Sequence, residues 1–212
     1  MAKNIQVIHD MINLLARKGL TGYFPPEDID QAVYKASNDL FMVEYRKYEQ
    51  TQEISDSLAV FKSNPTLLTI DSNGQTNYPA NYRHVTEMLC TTSATGEVKE
   101  IDTAMLGRKL NNANTPPTLQ YPIFTLYSTY IQFYPVTVSN VSIIYLKAPV
   151  QPVYAYTIVD GRYVYNDSAS VDVEWYTTDI SKVTMRALEV MGVVLDDSIL
   201  AQFGMQQEKD NE

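Results

Sequence analysis

The chain has 212 residues, 45% of them hydrophobic and 19% charged, with a formal net charge of −9 and a pI near 4.7. That length allows a substantial core in one domain or two small ones, and the acidity excludes a general basic surface for gripping nucleic acid or an anionic membrane. A single cysteine, Cys90, excludes an intramolecular disulfide and a Cys-built zinc site, no stretch approaches a membrane span, and the N-terminus lacks the features of a signal peptide.

The first fifty residues read as two helices. Ile5, Ile8, Ile12 and Leu15 fall at helical spacing, widened by Val7, Met11 and Leu14, and predict a helix from about Asn4 to Arg17 with a C-cap at Gly19. Gly22, Pro25 and Pro26 mark a connection. Pro26-Glu27-Asp28-Ile29-Asp30 then starts a second helix, because proline pre-sets the first turn and carboxylates suit the positive end of the dipole. Its buried face is Ile29, Val33, Ala36, Leu40 and Val43, beside an aromatic face of Phe41, Tyr45 and Tyr48. A short third helix is expected around Ile54 to Phe61.

At Pro65 the period changes toward two. Leu67 to Ile70 leads into Asp71-Ser72-Asn73-Gly74, the strongest hairpin-turn signal in the chain. Further strands are expected at Arg83–Thr92 and Val98–Ile101, then a short helix capped by Asp102 or Thr103 and a loop over Asn111–Pro117. Tyr121 to Pro149 reads as an antiparallel meander rich in tyrosine, threonine and β-branched residues. Two aromatic strands follow, Val153–Val159 and Tyr163–Tyr165, joined by Asp160-Gly161. The helical period returns at Thr178 or Asp179, with Ile180, Val183, Ala187, Met191 and Val194 on one side, and Asp196 begins a last helix carrying Phe203. The expected fold class is α+β: a discontinuous helical bundle of residues 1–62 plus 177–212, interrupted by an inserted antiparallel β-sandwich or barrel-like domain of residues 63–176.

Residues suited to chemistry are sparse. His9 and His84 have no second imidazole at ligand spacing, and Cys90 has no basic neighbour to activate it. Asp172 and Glu174, two apart in an extended region, could hold a divalent cation with Asp167, although no glycine-bearing loop of the calcium-binding type accompanies them. No phosphate-cradling glycine pattern is present. These absences lead us to expect no catalytic residue, no metal and no cofactor.

Sixteen tyrosines and six phenylalanines remain to be explained. On the meander Tyr121, Ile123, Thr125 and Tyr127 share one face and Phe124 and Leu126 the other, while Tyr130, Gln132 and Tyr134 oppose Ile131 and Phe133. One face is expected to fill a core and the other to carry tyrosines, either as half-buried cross-strand pairs or as a protein interface.

The succession Tyr78-Pro79-Ala80-Asn81-Tyr82-Arg83-His84, Ile131-Gln132-Phe133-Tyr134-Pro135 and Val141 to Pro149, set between terminal helices, resembles the head-to-tail adaptor or tail-tubular ring proteins of short-tailed bacteriophages, especially crAss-like phages. Lys18 to Asp30, leading into the second helix, shares the likeness. The resemblance implies a subunit of a closed, twelvefold ring beneath the portal protein, next to other tail ring proteins, made in the bacterial cytoplasm and located in the virion. Double-stranded DNA would only pass through the lumen, which acidic residues would keep from holding phosphates, and no membrane is involved. A cyclic ring needs two different complementary patches per subunit. The candidate interface residues are Tyr23, Phe24, Phe41, Tyr45, Tyr48, Tyr127, Tyr130, Tyr134, Tyr154, Tyr156 and Phe203. The competing readings are a carbohydrate-binding β-module or receptor-binding tail component, whose exposed aromatics would stack on sugars, and an enzyme with a carboxylate site between Asp167 and Glu174.

Overall fold

Helical spacing forms helices near both ends of the described chain, and period-two patterning between them forms strands. The computed structural model describes residues 4–18, 24–48 and 56–192. Among these, a mixed α+β fold has four helices and nine strands in three sheets. The chain divides into two compact units, Met1–Val60 with Pro149–Glu212 and Phe61–Ala148, so that the second interrupts the first in sequence.

In the first unit, α1 (Asn4–Lys18) buries Ile5, Ile8, Ile12, Leu15 and Ala16. Val7 and Leu14 are exposed rather than part of that stripe, because at 100° per residue they lie on the opposite side of the helix; the stripe takes in His9 instead. The second helix, α2 (Pro26–Tyr45), starts at its proline with Glu27 and Asp28 in the first turn, and it buries Ile29, Val33, Ala36 and Leu40. Phe41, a candidate interface residue on the aromatic face, is only 1% exposed and belongs to this core. Residues 56–61 end in a single 3₁₀ turn, Leu58–Phe61. The last described helix, α4 (Ile180–Val190), buries Ile180, Val183, Thr184, Ala187 and Leu188 and packs against α2, while α1 touches both. Asp179 stands at its N-cap position, yet its carboxylate makes no capping bond and accepts from Lys182 Nζ at 2.7 Å. The predicted helix beginning at Asp196 lies outside the described residues.

Residues 149–176 belong with the helices, contrary to the expected boundary at 176. The reason is a set of polar ties that replace water on backbone groups. Asp172 accepts the N–H groups of Ile5 at 2.8 Å and Asn4 at 3.2 Å, which caps the orphan donors of α1 from far along the chain. Buried Trp175 donates its indole N–H to Ser37 on α2 at 2.7 Å. This stretch also forms the hairpin of β8 (Tyr156–Val159) and β9 (Arg162–Tyr165).

The second unit holds two sheets, with strand orders β1-β7-β3 and β2-β6-β5-β4. Their spans are β1 (Thr66–Leu67), β2 (Gln75–Asn77), β3 (Tyr82–Cys90), β4 (Lys99–Glu100), β5 (Ile123–Leu126), β6 (Tyr130–Tyr134) and β7 (Val141–Lys147). All pairings are antiparallel except β4 with β5. The expected meander breaks after β6: β5 and β6 pair, but β7 joins the other sheet. Pro135 has no N–H with which to extend the ladder, and Val138 is buried in the crossing segment. The Asp71–Gly74 turn likewise forms without closing a hairpin. Asp71 Oδ1 accepts the N–H groups of Asn73 and Gln75, but β1 and β2 leave for different sheets. Gly74 is required there, since its φ is +76° and an added Cβ would meet Val136 Cα at 2.8 Å. Met88, Phe124, Ile131, Phe133, Val141 and Ile143 join one apolar cluster fed by both sheets. A short helix, α3 (Thr103–Leu110), is capped by Asp102, which accepts the Ala104 N–H at 2.9 Å.

Candidate functional site

The residues first considered for chemistry mostly serve the fold. Asp172 caps α1 and Glu174 accepts the Val150 N–H at 2.9 Å, so these carboxylates hold backbone rather than a cation. No group of three or more His, Cys, Asp or Glu suited to a metal exists among the described residues. Cys90 is buried on β3 with Sγ 3.1 Å from Thr92 Oγ1, packed as a small side chain in the apolar cluster. His84 on the same strand has its imidazole pushed below the ordinary value, first by burial and then by neighbouring Arg83.

His9 has a partner the sequence did not announce. Its Nε2 lies 2.8 Å from Asp30 Oδ1, with both residues buried, and the other carboxylate oxygen of Asp30 accepts the Tyr154 N–H at 2.9 Å. The Tyr154 ring stacks on the imidazole with centroids 4.2 Å apart and planes 14° from parallel. One buried carboxylate thus fixes an imidazole from α1 and a backbone from residues 149–176. Beside this cluster opens a cavity of about 430 Å³ lined by His9, Asp10, Asn13, Leu14, Pro26, Tyr154 and Tyr163. A second cavity, about 550 Å³, has charges of both signs, Glu44, Asp56 and Asp179 against Lys47 and Lys182.

The candidate aromatics fall into three groups. Tyr45 and Tyr48 continue a ladder from buried Phe41, with ring centroids 6.3 and 6.2 Å apart, and both are half-buried. Tyr127 and Tyr130 stack at 4.9 Å beside half-buried Tyr134, whose phenol is pushed above its ordinary value by burial and then by Tyr127. Tyr154 and Tyr156 share the third group with Tyr163 and Tyr165: Tyr156 meets the edge of Tyr163 at 4.6 Å, and Tyr154 meets Tyr165 at 4.8 Å. Tyr156 also donates to Glu27 Oε1 at 2.5 Å, and that bond is the first cause of a carboxyl held below its usual range. Phe24 is half-buried; Tyr23 and Phe203 lie outside the described residues. The face of β5 and β6 expected to display tyrosines is closed at its centre, where Thr125 donates to the Ile101 carbonyl and Gln132 to those of Asn73, Gly74 and Phe133.

Exposed apolar residues gather on the β8–β9 hairpin, beyond the candidates Tyr154 and Tyr156. Among the described residues the β8–β9 sheet has two strands, and along it Ile158 is 66% exposed, Val159 51%, Val164 46% and Tyr163 45%. Register places Ile158 opposite Tyr163 on one face, while Val159 and Val164 lie on the other beside Arg162 and Thr157, so each face of the arm carries exposed apolar side chains. Asp160 and Gly161 turn it with φ of +48° and +72°, as a two-residue loop with both φ positive requires. In the second unit, α3 buries none of its side chains and exposes Met105 and Leu110. The two strands and their Asp160-Gly161 turn were legible in the sequence; the exposure of the arm was not, because alternation tells which residues share a face and not whether anything covers it. No protein-family model matches this chain, and no curated protein matches it significantly.

Proposed function

We propose that this chain is a structural subunit of a closed ring of the head-to-tail connector kind, docking beneath a portal and continuing the DNA channel into a tail. It acts by assembly and has no catalytic role. The observation that carries this reading is the β8–β9 arm, which presents apolar side chains on both faces of a two-stranded sheet. Such a hairpin is marginal in water unless something packs on it, and a heterologous ring supplies that something from the next copy. The α3 face with Met105 and Leu110 is the complementary patch we assign to it. In this reading the terminal helices form a bundle, and the two sheets of residues 61–148 stack as an inserted sandwich.

Magnitudes limit what the arm does alone. Burying one Ile or Val side chain contributes roughly 1.5–3 kcal/mol, whereas association costs about 4–15 kcal/mol of translational and rotational freedom. Four arm residues therefore anchor a contact but need further surface, for which Tyr45, Tyr48, Tyr127, Tyr130 and Tyr134 are available. The net charge of −9, multiplied around a ring, would keep DNA phosphates from settling on the lumen. Negative-stain microscopy of the purified chain, alone and with a portal, tests the reading: closed rings are expected, and a persistent monomer with affinity for glycans would replace it with the carbohydrate-binding alternative.

A further inference from the structure

Of the eight glycines, two follow an Asn or Asp: Asn73-Gly74 and Asp160-Gly161. Such pairs are chemically labile, because a glycine amide has no side chain to shield its nitrogen from the carbonyl carbon of the preceding side chain. The fold treats the two oppositely. At Asn73-Gly74 the Gly74 N–H donates to the Asp71 carbonyl at 3.0 Å, and the Asn73 carbonyl accepts from Gln132 Nε2 at 2.9 Å. The Gly74 carbonyl accepts the Phe133 N–H at 2.8 Å, and an added Cβ would meet Val136 Cα at 2.8 Å. Held from both ends, this peptide keeps its nitrogen as a donor in the turn and away from the side chain. At Asp160-Gly161 nothing comparable acts. Among the described residues neither the Gly161 N–H nor the Asp160 carboxylate makes a hydrogen bond, both residues are exposed, and a Cβ built on Gly161 meets nothing within 4 Å. Asp160 also has a φ of +48°, a left-handed conformation that a residue with a Cβ adopts at a cost.

We propose that Asp160-Gly161, at the tip of the β8–β9 arm, is a modification site that forms a succinimide and then isoaspartate without an enzyme, and that the fold shields Asn73-Gly74 from the same chemistry. The Gly161 nitrogen loses its proton and bonds to Cγ of the protonated Asp160 side chain, while a carboxyl oxygen leaves as water. Water then opens the five-membered imide. Breaking the bond from nitrogen to Cγ restores aspartate. Breaking the bond from nitrogen to the main-chain carbonyl carbon of Asp160 leaves isoaspartate, whose backbone runs through the side-chain methylene. No co-reactant other than water is needed, and the net charge is unchanged. The added methylene lengthens a two-residue turn whose positive φ pair matches the strand twist, so the Val159–Arg162 pairing beside it is lost. The inference does not rest on the ring reading, since it concerns a turn of one subunit.

The test incubates the full chain, folded and in urea, at a dilution that keeps it monomeric. Mildly acidic buffer favours the protonated carboxyl at position 160, and mildly alkaline buffer favours loss of ammonia from Asn73. Peptide mapping with isoaspartate methyltransferase labelling reads position 160, and the mass gain of an amide becoming an acid reads position 73. Isoaspartate at 160 is expected to form in the folded chain within about threefold of its rate in urea, because no structure has to open first. Deamidation of Asn73 should be at least about tenfold slower in the folded chain than in urea, because its turn must open. Asp160→Asn gives the two sites identical chemistry in one molecule; in alkali and in the folded state, position 160 should then gain the mass well before position 73. Equal protection of the two positions by folding would overturn the proposal, as would a folded Asp160→Asn chain in which position 73 reacts first.

Discussion

Two pairs of aromatic strands in this protein share a sequence style and meet opposite fates. On β5–β6, Phe124, Ile131 and Phe133 are within 2% of full burial, and even the alternate face is closed by Thr125 and Gln132. On β8–β9, Ile158 and Val159 stand more than half exposed. Both pairs alternate, both are rich in tyrosine and β-branched residues, and both end in recognisable turns. What separates them is the neighbourhood: β5–β6 sits inside a four-stranded sheet and contributes to the apolar cluster, whereas β8–β9 pairs with no further described strand. Strand pattern therefore sets which residues face together, and the number of strands beside them sets whether that face is core or contact surface.

The contrast can be broken most forcefully at Phe133. Phe133→Ala should cost about 3–5 kcal/mol in denaturant unfolding, because a fully buried ring leaves a cavity. If the loss matched that of an arm substitution, the distinction between the pairs would fail. Next in size is Asp30→Ala, which strands His9 and the Tyr154 N–H that positions the base of the arm; about 3 kcal/mol is expected, with loss of the ring-shifted proton signals of the His9–Tyr154 stack. Gly74→Ala should cost more than about 1 kcal/mol by the same unfolding measurement, since its positive φ and the Val136 contact both oppose a side chain.

A smaller effect concerns pH. His84 is held below its ordinary value in the folded state, so between the two values the unfolded chain binds more protons and stability rises with pH. Lowering pH from about 7 to 5 should therefore destabilise the unit of residues 61–148, with the loss complete once pH falls below the folded value, and His84→Gln should flatten that slope in unfolding experiments. The smallest effect belongs to the arm itself: Ile158→Ser should change monomer stability by no more than about 0.5 kcal/mol.

Much of the architecture was legible beforehand for physical reasons. Ile5, Ile8 and Ile12 announce α1 by spacing, Pro26 with Glu27 and Asp28 announces the start of α2, and Asp102 announces α3. Long-range polar ties were not legible: nothing local tells that Asp172 caps a helix that begins at Asn4, or that Ser37 receives the Trp175 indole. Missing them placed residues 149–176 with the wrong unit. The His9–Asp30–Tyr154 cluster was hidden in the same way, since its members lie far apart in the chain, and so was the burial of Phe41, a candidate interface residue that is 1% exposed. Sheet membership of β7 was also hidden, because a proline ends a ladder without saying where the next strand goes.

The central claim is that the arm is a contact between copies. Native mass measurement of the wild-type chain and of the double variant Ile158→Asp with Val164→Asp, at micromolar concentration and matched thermal unfolding, tests it most directly. The account predicts closed oligomers for the wild type and monomers for the variant; a variant that assembles as the wild type does, or a wild type that stays monomeric, would contradict it.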